Sequence, residues 1–176
     1  MSRADYAADP TLLARVLDLL GAAFGPWVHD QVGLGSRWGL RWDRCSTPFV
    51  REVDGALVAH LGVMAVPVVL DGERRRVGAL HAAAVHPRHR GRGHLRALMG
   101  EALAWCDERF ETCALDGDDA LYARFGFRRV GEHRFRGPLP PDRVCVARPL
   151  RLTSVDDPAD VRRDEAGTWH IRAGAT

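Results

Sequence analysis

The chain has 176 residues, of which 46% are hydrophobic and 27% are charged, and its formal net charge is +2. This length fits one domain that buries a core without disulfides or metal ions, and the composition excludes a disordered chain. All 25 basic residues are arginines, which excludes a lysine nucleophile, and the small net charge argues against nucleic-acid binding.

Cysteine spacing and hydropathy indicate the cellular location that we expect for the protein. The cysteines at 45, 106, 113 and 145 form no Cys-x-x-Cys pair and have no histidine at a metal-like spacing, so we expect reduced thiols and no metal site. No N-terminal segment resembles a signal peptide, and the apolar run 61–70 is too short to span a membrane. We therefore expect a cytoplasmic protein that does not bind a membrane.

A first helix is predicted near the N-terminus. Asp9 is expected to cap it and Pro10 to be its first residue. The apolar residues that follow at helical spacing are Leu12, Leu13, Val16, Leu19, Leu20 and Phe24. Residues 25–46 are less regular; for Trp27, Trp38 and Trp42 we favour core packing, with the wall of a substrate pocket as the alternative.

The pattern from Pro48 to Val85 predicts three antiparallel strands in a meander. Asp54-Gly55 and Asp71-Gly72 provide the two short turns between them. A second amphipathic helix is predicted from Gly93 to about Arg109.

Shorter elements are predicted in the rest of the chain. A strand at 112–115 precedes a short helix that begins near Asp118 and Asp119 and that Gly126 ends in the left-handed conformation. Two final strands are predicted at 127–135 and 143–150, and residues 151–176 are expected to be a tail or an interface arm.

The turn between the third strand and the second helix carries most of the functional information. Residues 83–95 read Ala-Ala-Val-His-Pro-Arg-His-Arg-Gly-Arg-Gly-His-Leu. A helix N-terminus offers unpaired backbone N–H groups and a partial positive charge, and phosphate oxygens bind to both. Gly91 and Gly93 permit close approach of a ligand, and Arg90 and Arg92 add charged donors. This pattern predicts a pyrophosphate-bearing ligand; the alternative is an ordinary arginine-rich surface turn.

The order of elements resembles that of the GNAT superfamily of acetyl-CoA-dependent N-acetyltransferases. The superfamily's phosphate-binding pattern, Q/R-x-x-G-x-G/A, fits the chain in two registers, one that starts at Arg88 and one that starts at Arg90. We prefer the second register because it places Gly93 at the helix start, although Leu95 then stands where the family usually has Gly or Ala. The resemblance implies an α/β (α+β) fold with a mixed, mostly antiparallel sheet flanked by helices.

A second motif supports the same resemblance. Residues 121–127 read Leu-Tyr-Ala-Arg-Phe-Gly-Phe and are similar to the family's Y-x-x-x-G-F segment, in which the tyrosine lies near the cofactor sulfur. Together the two motifs are similar in particular to the N-terminal domain of the enhanced-intracellular-survival type of acetyltransferase. The resemblance covers about residues 8–150, so we expect an acetyltransferase domain at 1–150 and a tail at 151–176.

The resemblance implies transfer of an acetyl group from acetyl-CoA to a primary amine of a small molecule or peptide, by direct attack in a ternary complex. Tyr122 would protonate the departing thiolate, since a phenol pKa of about 10 lies close to a thiol pKa of about 8.5. The implied ligand-binding residues are Ala83, Ala84, Val85, Arg90, Gly91, Arg92, Gly93, His94 and Leu95.

Several alternatives stay open at the level of sequence. Glu52, His60, His81 or a chain of water molecules are conceivable general bases, and none is assigned. A domain that binds acyl-CoA as a sensor or assembly module, without turnover, is the alternative function. A weaker third possibility is nucleic-acid binding through the arginines at 74–76 and 88–96. The tail and the final strands offer surfaces for a homodimer.

Overall fold

A computed structural model describes residues 4–28, 46–70, 73–115, 117–130, 133–136, 161–163 and 169–171. For residues 66–70, 73–75, 130, 133–136, 161–163 and 169–171 only the backbone is described. The chain divides into two compact units, Met1–Met64 with Leu80–Glu108, and Ala65–Ala79 with Arg109–Thr176.

The helices and strands follow the predicted order over most of the chain. The helices are α1 (Leu12–Phe24), α2 (His94–Asp107) and α3 (Asp119–Ala123), and a short 3-10 turn covers Pro87–His89. The strands are β1 (Ser46–Val53), β2 (Ala56–Leu70), β3 (Glu73–Val85), β4 (Cys113–Leu115), β5 (Arg128–Val130), β6 (His133–Arg136), β7 (Val161–Arg163) and β8 (Trp169–Ile171).

In the first unit the strand order is β1-β2-β3, which is the predicted meander. Strands β1 and β2 pair antiparallel, with Val53 opposite Ala56. Asp54 and Gly55 connect them with φ values of +50° and +78°, which is the pair of left-handed residues that a type I′ hairpin turn requires. The turn predicted at 54–55 is confirmed, whereas the one predicted at 71–72 lies outside the described residues.

Helix α1 supplies three of the six buried residues of one apolar cluster in the first unit. It begins at Leu12 and not at Pro10, because the Asp9 carboxylate accepts bonds from the backbone N–H (2.9 Å) and the hydroxyl (2.7 Å) of Thr11 and so holds a turn ahead of the helix. The buried members of this cluster are Tyr6, Leu12, Val16, Leu20, Val28 and Ala84. Each buried Leu or Val stabilises the fold by about 1.5–3 kcal/mol.

Helix α2 packs on β1, where the ring of Trp105 meets the ring of Phe49 edge-on at 5.9 Å between centroids. Its buried stripe is Leu98, Met99, Ala102, Leu103 and Cys106. The core position favoured for Trp27 is wrong: this side chain is 47% exposed, and its indole N–H donates to the carbonyl of Phe24. Trp38 and Trp42 lie outside the described residues.

In the second unit the strand order is β3-β4-β6-β5, and β3 pairs with β4 in parallel, whereas β4 with β6 and β5 with β6 are antiparallel. The prediction of a mixed, mostly antiparallel sheet is therefore confirmed. The prediction of a single strand at 127–135 is wrong. Two strands form a hairpin there, with Val130 opposite His133 and residues 131–132 between them. The strand predicted at 143–150 lies outside the described residues.

Strands β7 and β8 form a separate antiparallel hairpin within residues 151–176, where the sequence predicted only a tail or an interface arm. Because these strands are three residues long and carry no alternating pattern, no sequence signal distinguished them.

Helix α3 begins and ends as predicted. The Asp118 carboxylate caps it by accepting from the backbone N–H of Leu121 at 2.7 Å. At its end Gly126 has a φ of +81°, and the N–H groups of Gly126 and Phe127 donate to the carbonyls of Ala123 and Tyr122. This bond pair defines a Schellman motif, which needs glycine at that left-handed position.

Candidate functional site

The first unit contains a groove of about 290 Å³ between the end of α1, the end of β3 and the beginning of α2. Its lining residues are Ala23, Phe24, Ala83, Ala84, Val85, His89, Arg90, Gly91, Gly93, His94, Leu95 and Arg96. The structure thus brings together the strand end, the turn and the helix start that the sequence singled out. Of the predicted ligand-binding residues only Arg92 does not line the groove; its side chain is exposed.

The turn presents a run of backbone donors. Over the described part of the chain, the N–H groups of residues 91–96 have no acceptor within the protein, and the first bond of the helix runs from Ala97 N–H to the Gly93 carbonyl at 3.0 Å. Gly93 has a φ of +80° and adds no side-chain cap. Unpaired amides at a helix start are the donors that phosphate oxygens accept from.

The two glycines of the turn are needed for their backbone conformation. Gly91 and Gly93 have φ values of +76° and +80°, in the left-handed region that other residues enter at a cost. A Cβ at either position would meet no atom of the described residues within 4 Å. Conformation, and not crowding by the protein, therefore explains glycine at these positions, and the space beside them stays open to a ligand.

Arg90 lines the groove and also donates hydrogen bonds to two of the elements that form it. Its Nε donates to the carbonyl of Val85 at the end of β3, and its Nη2 donates to the carbonyl of Ala23 near the end of α1, both at 3.4 Å. The sequence predicted a phosphate donor at Arg90, and the structure adds these two backbone contacts to it.

Three histidines surround the turn, and the sequence predicts only His94 as a site residue. The ring of His89 lies 5.7 Å from the ring of His86 and 6.3 Å from that of His94, between centroids. Partial burial lowers the pKa of His89, and the charge of Arg92 lowers it further. Among the described residues, no partner contacts the buried Nδ1 of His89 or the buried Nε2 of His94.

Strand β3 contains a backbone distortion immediately before the groove. Ala82 has a φ of +50°, although it is not a glycine and lies inside a strand. This conformation costs an alanine about 1–2 kcal/mol, so the surroundings must hold it. The parallel pairing of β3 with β4 joins Gly78 to Cys113 and Ala79 to Ala114, and β3 continues beyond this pair to Val85.

A buried histidine contacts the distorted residue. Nδ1 of His60 lies 2.9 Å from the Ala82 carbonyl, and Nε2 lies 3.3 Å from the Tyr6 hydroxyl. His60 is fully buried, and burial lowers its pKa to about 4. Nδ1 therefore carries the proton that the carbonyl accepts, and Nε2 accepts from the tyrosine.

The other two residues considered as bases are engaged as well. Nε2 of His81 lies 2.7 Å from the Ser46 hydroxyl, and burial, followed by the neighbouring His60, lowers the pKa of His81 to about 3. The Glu52 carboxylate is 46% exposed and forms an ion pair with Arg15.

Tyr122 lies on α3 in the second unit and is buried. Its ring meets that of Phe127 edge-on at 6.1 Å between centroids. A Cβ at Gly117 would stand 2.3 Å from Cε2 of Tyr122, so a larger residue at position 117 would displace the ring. Glycine at 117 and the motif at Gly126 together fix the tyrosine within this unit.

The comparison with protein families agrees with this geometry. The family model described as an acetyltransferase (GNAT) domain matches residues 7–130. The chain therefore belongs to the GNAT acetyltransferase family, and its fold is the GNAT fold. No curated protein matches the sequence significantly.

Solved structures with the same fold come from several bacteria. A GNAT family acetyltransferase from Brucella melitensis, solved in complex with acetyl-CoA, is 24% identical with a TM-score of 0.62, over 77% of this chain and 88% of that one. A GNAT family N-acetyltransferase from Escherichia coli, in complex with CoA, is 25% identical with a TM-score of 0.57, over 70% of this chain and 74% of that one.

A third similar structure is much longer than this chain. It is a conserved protein from Enterococcus faecalis described as a probable N-acyltransferase, 16% identical with a TM-score of 0.58, over 73% of this chain. This chain spans about a third of that protein's length, 32%.

The sequence leads us to expect neither a membrane span nor a metal site, and the described residues bear on both expectations. Among these residues no helix is long and apolar enough to cross a membrane. In the same part of the chain, no three His, Cys, Asp or Glu side chains are grouped to hold a metal ion.

Proposed function

We propose that the protein transfers an acetyl group from acetyl-CoA to a primary amine of a small molecule or peptide. The observation that carries the proposal is the run of N–H groups at residues 91–96, which have no acceptor among the described residues and lie beside an open groove. These amides would bind the diphosphate of CoA, and the two neighbours solved with acetyl-CoA or CoA belong to the same family.

The end of β3 would receive the pantetheine arm and the thioester. Ala83, Ala84 and Val85 line the groove and lie beyond the residues at which β3 pairs with β4. Backbone groups released from a strand ladder are available to a ligand, and an N–H aimed at the carbonyl oxygen would stabilise the charge that develops there.

The reaction joins the amine nitrogen to the acetyl carbon and breaks the carbon–sulfur bond. The amine must be neutral to attack, and it loses a proton as the amide forms. The departing CoA thiolate takes a proton, for which we propose the hydroxyl of Tyr122. The base stays unassigned: pKa values of about 4 for His60 and about 3 for His81 make both imidazoles weak bases near neutral pH.

A matched pair of variants at Gly93 tests the diphosphate site. Asn and Asp both tolerate the left-handed conformation and can cap a helix, but only Asp adds a negative charge where the diphosphate would bind. By calorimetry, Gly93→Asp should weaken CoA binding at least about tenfold relative to Gly93→Asn. Equal affinities for the two variants would remove the diphosphate from this turn.

Turnover separates the enzyme from a binding module. Release of free CoA thiol from acetyl-CoA, in the presence of a panel of amines, aminoglycosides and peptides, should identify an acceptor. Tyr122→Phe should lower the rate of transfer while CoA affinity stays within about twofold. CoA binding without transfer to any amine would favour the alternative, an acyl-CoA sensor or assembly module.

Narrower statements remain predictions from the sequence alone. They are the particular similarity to the enhanced-intracellular-survival type, the domain at 1–150 with a tail at 151–176, the cytoplasmic location, the homodimer and the absence of nucleic-acid binding. For the last, oligonucleotide affinity should be weak and should not fall steeply with salt.

A further inference from the structure

The three consecutive residues Ala83, Ala84 and Val85 all line the groove. A regular strand directs alternate side chains to opposite faces, so a straight β3 would offer the groove every second residue. Ala82, with its φ of +50°, immediately precedes these residues. The distortion therefore lies at the point where the strand reaches the groove.

Nothing in the local sequence favours this conformation at Ala82. Of the described residues other than glycine, only Asp54 shares a positive φ, and Asp54 lies in a hairpin turn that requires it. Ala82 is flanked by alanine and histidine inside a strand, and alanine avoids the left-handed region. Contacts from elsewhere in the fold must hold it.

The Ala82 carbonyl lies 2.9 Å from His60 Nδ1. Because a carbonyl only accepts, this bond requires the tautomer with the proton on Nδ1, and Nε2 then accepts from the Tyr6 hydroxyl 3.3 Å away. His60 is 22 residues from Ala82 along the chain and Tyr6 is 54 residues from His60. The three residues are thus joined only by the fold.

The distorted part of β3 packs against the same apolar cluster that contains Tyr6. Tyr6 and Ala84 are both buried in the cluster to which α1 contributes, and Ala82 packs against it. Among the described residues His60 has no charged partner, and an apolar side chain of similar size would avoid the desolvation of its two nitrogens. Both nitrogens instead have hydrogen-bond partners, Nδ1 at the Ala82 carbonyl and Nε2 at the Tyr6 hydroxyl.

We propose that His60 is a positioning residue, which donates from Nδ1 to the Ala82 carbonyl, holds Ala82 in the left-handed conformation and so aims Ala83–Val85 at the acyl thioester. His60 itself does not line the groove and would not touch the reacting atoms. The effect of His60 on kcat can be measured only if the proposed function is right. The bond from His60 to the Ala82 carbonyl can be tested without turnover.

The bond from His60 to the Ala82 carbonyl is tested by measuring the tautomer of the His60 imidazole. Nitrogen-15 NMR of imidazole-labelled protein at pH 7 should show His60 neutral with the proton on Nδ1. In the Tyr6→Phe variant the Ala82 carbonyl still requires a donor, so the proton should stay on Nδ1. A proton on Nε2 in the wild-type protein would overturn the proposal, because the Ala82 carbonyl would then have no donor from His60.

The effect of His60 on kcat is tested with two side chains that each replace one ring nitrogen. His60→Asn places an amide N–H near the position of Nδ1, whereas His60→Gln places its amide near Nε2. We expect His60→Gln to lower kcat at least tenfold while the Kd of CoA, which reports the diphosphate end, changes less than threefold. His60→Asn should recover most of the lost kcat.

Destabilisation needs a matched control, which β2 provides. Val63 is buried in the same strand, and Val63→Ala should destabilise the fold while the folded fraction keeps its kcat. If His60→Gln and His60→Asn lower kcat equally, or no more than Val63→Ala does, His60 is a structural residue and the proposal fails.

Failure of the proposed function gives a different result. If the wild-type protein does not bind CoA at all, the enzyme assignment fails, whereas the tautomer measurement still decides whether His60 holds Ala82. If the protein binds acetyl-CoA without turnover, kcat cannot be measured. The ratio of the Kd of acetyl-CoA to the Kd of CoA is then measured for each variant. His60→Gln should then weaken acetyl-CoA more than CoA, and equal weakening would contradict the proposal.

Discussion

Acidification from pH 7 to pH 5 should lower the free energy of unfolding by about 2 kcal/mol through His60 alone. Burial holds the pKa of His60 at about 4 in the folded protein, whereas an unfolded histidine has a pKa of about 6.5. The difference between the two values corresponds to about 3 kcal/mol, of which about 2 kcal/mol is lost by pH 5.

The sign follows from where each state binds the proton. Below pH 6.5 the unfolded chain takes up a proton at His60, and the folded protein does so only near pH 4. The stabilisation is therefore complete above pH 6.5 and is lost as the pH falls toward 4. His81, whose pKa is lowered to about 3, acts in the same direction. The wild-type protein should consequently lose more stability than His60 alone accounts for.

Urea unfolding at pH 7, 6 and 5 measures the effect, with fluorescence and circular dichroism recorded together to test for a single transition. The His60→Asn variant removes the titrating group and keeps a donor near the Ala82 carbonyl. The difference in unfolding free energy between wild type and variant should shrink by about 2 kcal/mol from pH 7 to pH 5. Parallel pH profiles for the two proteins would show that His60 is not buried in its neutral form.

Three further variants test local features. Gly100→Ala should stabilise the protein by about 1 kcal/mol, measured by urea unfolding, because Gly100 lies in the exposed interior of a helix and a Cβ there meets no atom of the described part of the chain within 4 Å. Asp118→Ala should cost about 1 kcal/mol in the same assay through loss of the α3 cap. Gly117→Ala should cost about 1–3 kcal/mol and lower acetyl transfer more than CoA affinity, because the new Cβ displaces Tyr122; unchanged transfer would contradict the proposed role of this tyrosine.

Features that local residues determine were predictable from the sequence. Asp54-Gly55 indicates a type I′ turn because both positions need a positive φ, and the structure has values of +50° and +78° there. The cap at Asp118 and the left-handed Gly126 follow from the same kind of local chemistry. Most of the groove lining was predictable for a related reason, since a strand, a glycine turn and a helix start in series meet at one place.

Features that depend on distant contacts were not predictable. The distortion at Ala82 has no local signal, because alanine does not favour a positive φ, and the side chain that binds its carbonyl, His60, approaches it only in the folded chain. The hairpin of β5 and β6 was missed for a different reason. Residues 127–135 contain Gly131 between two groups of strand-forming residues, and a single glycine is compatible with a turn or with an irregular position inside one strand.

Arg90 connects the two parts of the candidate site. A guanidinium has five N–H donors, and the bonds to the Val85 and Ala23 carbonyls use two of them. Among the described residues no acceptor contacts its remaining donors, which lie at the groove and would be available to an anion there. The same side chain therefore ties the strand end that would hold the thioester to the turn that would hold the diphosphate. Lysine at this position would keep the charge but lose the planar fork that reaches two carbonyls at once. This geometry explains why arginine suits position 90 even though the backbone amides of residues 91–96 already provide a set of donors for phosphate.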